Sequence, residues 1–67
     1  MTVYRYACPE RPPMPGTVPR GMIGISSEEQ TINGRHVWGV VDYNRKLTEK
    51  EVYDYELMEL DPVVLNG

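Results

Sequence analysis

Hydrophobic and polar positions alternate at the start of the chain. In Val3-Tyr4-Arg5-Tyr6-Ala7-Cys8, Tyr4, Tyr6 and Cys8 fall on one face and Val3, Arg5 and Ala7 on the other, which is the period of a β-strand. Pro9 ends it, and a proline at that point suggests a strand near a sheet edge. Gly21 to Ser26 is β-leaning, with Ile23 and Ile25 on a shared face. Asn33-Gly34 is the clearest local signal, because both residues tolerate positive φ and together favour a type I′ hairpin turn. The pattern predicts one strand over Glu28–Ile32 and another over Arg35–Tyr43, with a bend or bulge at Ser26-Ser27-Glu28-Glu29. Thr48-Glu49-Lys50-Glu51 reads as a capping box, with Leu47 and Val52 placed for a hydrophobic staple. A helix is expected from Glu49 to about Tyr55, then an extended stretch to Leu60 placed to join the sheet. Asp61-Pro62 stops it, and residues 63–67 read as a tail.

One segment breaks this patterning. Five prolines, Pro9, Pro12, Pro13, Pro15 and Pro19, fall between Cys8 and Gly21. Proline fixes φ and donates no backbone hydrogen bond, so the segment is neither helix nor central strand. It reads as a stiff arm that costs little entropy to order and carries Arg11 and Arg20. The expected fold is a small α+β domain: a three- to four-stranded, mostly antiparallel sheet, one short helix and a proline-rich arm over residues 8–21 lying across the sheet.

With 67 residues, the chain is expected to form one domain spanning 1–67, at a size where stability often needs a crosslink, a metal or a second subunit. Cys8 and His36 are the sole cysteine and histidine, too few for an internal disulfide or a structural zinc site. A homodimer or higher closed oligomer is the expected remedy. With no apolar run of membrane-spanning length and no secretory pattern, a cytosolic setting and no membrane partner are expected. The net charge of −3 is uneven. Residues 1–25 hold Arg5, Arg11 and Arg20 against Glu10, whereas the rest is acid-rich around Arg35, Arg45, Lys46 and Lys50. Double-stranded nucleic acid is therefore not an expected partner.

Catalysis is not expected either. Cys8 and His36 are a nucleophile and base without an orienting group or oxyanion motif, and no phosphate-binding glycine loop, metal motif or cofactor signature is present. Two PxxP matches in the arm lack the flanking basic residue of an SH3 ligand. The candidate binding set is Arg11, Arg20, Arg35 and Arg45 with Trp38 and Tyr43, supported by Tyr4 and Tyr6. Arginine forks grip phosphate or carboxylate, and aromatic rings stack on bases or guanidinium groups. Trp38 reads first as core and second as a stacking surface, since Gly39 beside it leaves room for a close approach.

The pattern Tyr6-x-Cys8-Pro9-x-Arg11-Pro12-Pro13-x-Pro15-Gly16-x-x-Pro19-Arg20-Gly21, followed by Asn33-Gly34-Arg35-x-x-Trp38-Gly39-x-Val41-x-Tyr43-x-Arg45-x-Leu47-Thr48-x-x-Glu51, resembles a group of short uncharacterised proteins. They are encoded by phages and integrated mobile elements of Gram-positive bacteria. The likeness reaches to about Tyr55 and implies a phage or mobile-element setting in the host cytoplasm. It implies an accessory role against host defence, by sequestering a nucleotide-like signal or by inhibiting a host defence protein in the manner of an anti-CRISPR. A structural or assembly component is the third reading.

Overall fold

The computed structural model describes residues 1–66. Strand β1 (Thr2–Ala7) lies at the centre of a five-stranded antiparallel sheet. On one side it pairs with β5 (Val40–Tyr43), which pairs in turn with β2 (Met22–Ser26). Two short strands near the C-terminus, β6 (Met58–Glu59) and β7 (Val63–Val64), also pair with β1. A separate two-stranded hairpin joins β3 (Gln30–Ile32) to β4 (Arg35–Val37). Helix α1 covers Glu49–Asp54.

The architecture is therefore of the expected α+β kind, with seven strands in two sheets where three or four were expected. Three local readings change with it. β1 is central, not near an edge, because Pro9 lies beyond its last paired residue and removes no ladder donor. The span Arg35–Tyr43 is two strands in two sheets, broken at Trp38-Gly39. At that break the Cys8 amide donates to Gly39 O at 2.9 Å and the Trp38 amide to Cys8 O at 2.8 Å. The supposed tail holds β7: the Leu65 amide donates to Met1 O, and the terminal ammonium donates to Leu65 O. Tyr6 faces Glu59 in one pair and Val3 faces Val63 in the other. The register slips by one residue around Asp61-Pro62, where proline has no amide to offer.

The main core cluster uses the face that alternation gave to Tyr4, Tyr6 and Cys8, which makes Tyr6 a core residue and not a binding one. Val3 and Ala7 on the other face are buried as well. Tyr6 from β1, Cys8 just after it, and Val41 and Tyr43 from β5 are buried together with Val18 and Leu47, and Tyr4, Met22, Val52 and Leu57 pack around them. Tyr6 and Tyr43 meet edge to face with ring centroids 6.0 Å apart, a favourable aromatic geometry. On the opposite face, Arg5 forks onto Asp42, with Nε to Oδ1 at 2.7 Å and Nη2 to Oδ2 at 3.0 Å.

Local turn chemistry is clean. Asn33 and Gly34 adopt φ of +52° and +78°, as a type I′ turn requires. Met14-Pro15-Gly16-Thr17 is a type II turn: the Thr17 amide donates to Met14 O at 2.9 Å and Gly16 takes φ +95°. In α1, the Glu51 amide donates to Thr48 Oγ1 and the Thr48 amide donates to Glu51 Oε1, completing the capping box. The helix ends in a Schellman motif, with the Leu57 amide donating to Val52 O and the Glu56 amide to Tyr53 O. Glu56 occupies the left-handed position at φ +54°, where glycine is usual.

Candidate functional site

The proline arm is docked on the sheet at three buried residues, Pro13, Val18 and Pro19. The buried Tyr43 hydroxyl donates to Pro19 O at 2.6 Å, and Gly39 lets Pro13 lie against it. A Cβ at Gly39 would meet Ser26 O at 2.1 Å and Pro13 Cδ at 2.8 Å. The close approach suspected at Trp38-Gly39 is thus real, and backbone and proline fill it. Cys8 sits under the arm, where burial pushes its thiol up to about 11. His36 is elsewhere, with Nε2 3.0 Å from Glu29 Oε1 and its ring edge-on to Trp38. The nucleophile–base pair of the sequence is not assembled.

The arginine and aromatic set disperses. Tyr43 is fully buried, so it is a core residue and not a contact surface; desolvation raises its hydroxyl to about 12. Arg45 forks onto both Glu51 oxygens at 2.9 Å and lies 5.9 Å from the Tyr43 ring centroid. That fork, with the Thr48 amide, holds the Glu51 carboxyl down at about 2. Arg11 donates to Glu56 Oε1 at 2.7 Å, tying the arm to the residue with left-handed backbone. Arg35 stands 3.6 Å from Glu10. Trp38 is half-buried. Among the described residues, Arg20 is exposed and has no carboxylate partner.

An open cleft of about 500 Å³ lies between the start of the arm and α1. Pro9, Leu47, Val52 and Leu57 contribute apolar surface, Tyr53 stands at the helix wall, and Glu10, Glu49, Glu56 and Glu59 contribute four carboxylates. Arg35 and Lys46 are its cations. Arg35 is the one residue of the sequence-derived set that lines it. Glu49, Glu59 and Lys46 carry no ion pair among the described residues. Pairing arginines with aromatic rings does not point to this site, and in sequence Tyr53 fits a helical stripe with Leu57 and Leu60; only the fold shows it to be exposed, at 83% of its full surface.

The arrangement suits a partner with apolar and basic groups. Apolar contact beside the exposed carboxylates of Glu49 and Glu59, unpaired among the described residues, gives both affinity and orientation for such a surface. No helix is long and apolar enough to cross a membrane. No curated protein and no solved structure matches the chain. The family described as defence against restriction A C-terminal does match, over residues 1–62. That span contains the sheet from β1 through β6, the docked arm, the helix and the whole cleft, and this protein belongs to that family.

Proposed function

We propose that the protein serves its family's anti-restriction role as a non-catalytic binding protein, gripping a host defence protein through the cleft between the arm and α1. The carrying observation is the charge distribution: among the described residues four arginines are engaged by carboxylates, while Glu49 and Glu59 have no ion pair and stand beside apolar surface. A basic, partly apolar segment on a protein complements that surface. Sequestration of a nucleotide-like signal draws support only from Arg35 and Lys46, and a phosphate entering the cleft would face four carboxylates. A thiol pushed to about 11 is protonated at neutral pH, and the thiolate is the nucleophile; this supports a role without covalent chemistry.

The test is capture from a restricting host with the wild-type chain and with Glu49→Lys/Glu59→Lys. The expected result is one stoichiometric protein whose binding falls by about tenfold or more in the variant, with loss of protection against restriction in parallel. Unchanged protection in the variant removes the cleft from the function. A rise in melting temperature with mono- or dinucleotides, as linkage demands of a ligand, would instead restore the sequestration reading.

A further inference from the structure

The free edge of β2 has the composition and charge order of a self-pairing surface. No strand covers the side of β2 away from β5 among the described residues. An uncovered edge presents unpaired amides and carbonyls, and proteins that stay monomeric usually blunt it with lysine, proline or an inward charge. Met22-Ile23-Gly24-Ile25-Ser26 has no lysine, proline or charge; the bulge between Met22 and Gly24, a device that also blunts edges, leaves Gly24 to Ser26 in regular pairing with β5. Ile23 and Ile25 are 47% and 49% exposed, unusual for two isoleucines on one short strand.

The charges flanking β2 are opposite in sign. Arg20 stands just before the strand and Glu28 just after it, both exposed and both without an ion pair among the described residues. An antiparallel pairing of two copies about a two-fold axis at Gly24 sets Ile23 opposite Ile25 of the second copy. The same antiparallel direction brings the end of β2 that carries Arg20 to the end that carries Glu28 in the second copy, and symmetry repeats the approach. A parallel pairing would place like charges together. We infer that β2 is a homodimer interface, joining two copies edge to edge into one continuous sheet, with Arg20 and Glu28 favouring the antiparallel direction. The cleft beside α1 is lined by none of these residues, so the interface and the proposed partner site are separate.

The test is sedimentation equilibrium on the purified chain from about 1 μM to about 1 mM, with Arg20→Glu, Glu28→Arg and the double reversal. The expected result is a dimer that each single reversal weakens by about tenfold and that the double returns to within about threefold of wild type. Ile25→Lys should leave a monomer. Arg20, Glu28 and Ile25, the three positions altered, are exposed, and circular dichroism melts verify that the variants fold. A wild-type monomer throughout that range overturns the inference. So does a dimer in which the double reversal is as weak as the two singles combined.

Discussion

The proline arm and the C-terminal stretch from Glu56 to Asn66 both read as irregular chain, yet they are held in opposite ways. The arm is anchored through side chains: Pro13, Val18 and Pro19 are buried, and one buried tyrosine hydroxyl grips its backbone. It makes almost no regular pairing beyond the isolated bridge between Pro15 and Val18. The C-terminal stretch is anchored through backbone. Met58–Glu59 and Val63–Val64 pair with β1, and the Leu60 amide donates to Arg5 O, while Val64 and Leu65 stay exposed. Prolines cannot supply ladder donors, so the arm has to be fastened by burial. A chain with free amides can be fastened at an exposed edge. The first kind of anchor is steep in its response to small steric changes, and the second is shallow.

The largest expected effect tests that steepness. Gly39→Ala drives a methyl into Ser26 O and Pro13, and backbone cannot yield cheaply there. A loss of ~3 kcal/mol or more is expected, visible as an unfolded or barely folded chain in circular dichroism. Gly24→Ala is the control, since its Cβ would meet only the Asp42 side chain, at 3.4 Å or more. If both variants melt alike, the arm is not fastened at Gly39.

Tyr43→Phe keeps the ring and leaves Pro19 O without its donor. Denaturant unfolding should show a loss of ~1–3 kcal/mol, with hydrogen exchange quickening in the arm before the C-terminal stretch. High pH probes the same anchor. Burial raises Cys8 to about 11 and Tyr43 to about 12, so the folded state favours their neutral forms. Their contribution is complete below the ordinary thiol and phenol values and is lost as pH climbs through about 11 and about 12. Melting temperature should fall across that window, and Tyr43→Phe should flatten the fall.

Removing residues 63–67 deletes β7 and its bonds to Met1. A cost of ~1 kcal/mol, or roughly 4–8 °C in a domain of this size, would match a shallow anchor; complete unfolding would erase the contrast between the two regions. The smallest effect is expected where they meet. Glu56→Gly relieves a left-handed φ of +54° but deletes the ion pair with Arg11. The opposing changes should leave the melting temperature within a few degrees of wild type. Faster exchange in the arm of this variant would show Glu56 retained for docking and not for helix termination.

Short-range features of this chain are legible in its residues, and long-range ones are not. Asn33-Gly34 and the Thr48–Glu51 box are contacts a few positions apart, and both form as expected because their geometry needs nothing distant. Alternation put Tyr6 and Cys8 on one face, but Val3 and Ala7 on the other are buried too, so the pattern alone did not say which face is core. The candidate site was less legible. Arg11, Arg35 and Arg45 look available in sequence, but Glu56, Glu10 and Glu51 take them, at separations of 45 residues, 25 residues and 6 residues. Tyr43 looks available in sequence, but its pairing with Tyr4 in β1 puts it on the face shared with Tyr6 and Val41, which is the core face.

Residue types and short spacings alone settled the hairpin turn, the helix start, the stiffness of the arm and the absence of a cysteine pair, because each depends on backbone sterics or on neighbours within a turn. The partnering of β1 on both sides, the split of Arg35–Tyr43 between two sheets, the conversion of the tail into β7 and the opening of the cleft were decided only when distant segments packed. Strand order and charge pairing are long-range choices among many carboxylates and many edges, and only the folded chain brings one of each within reach.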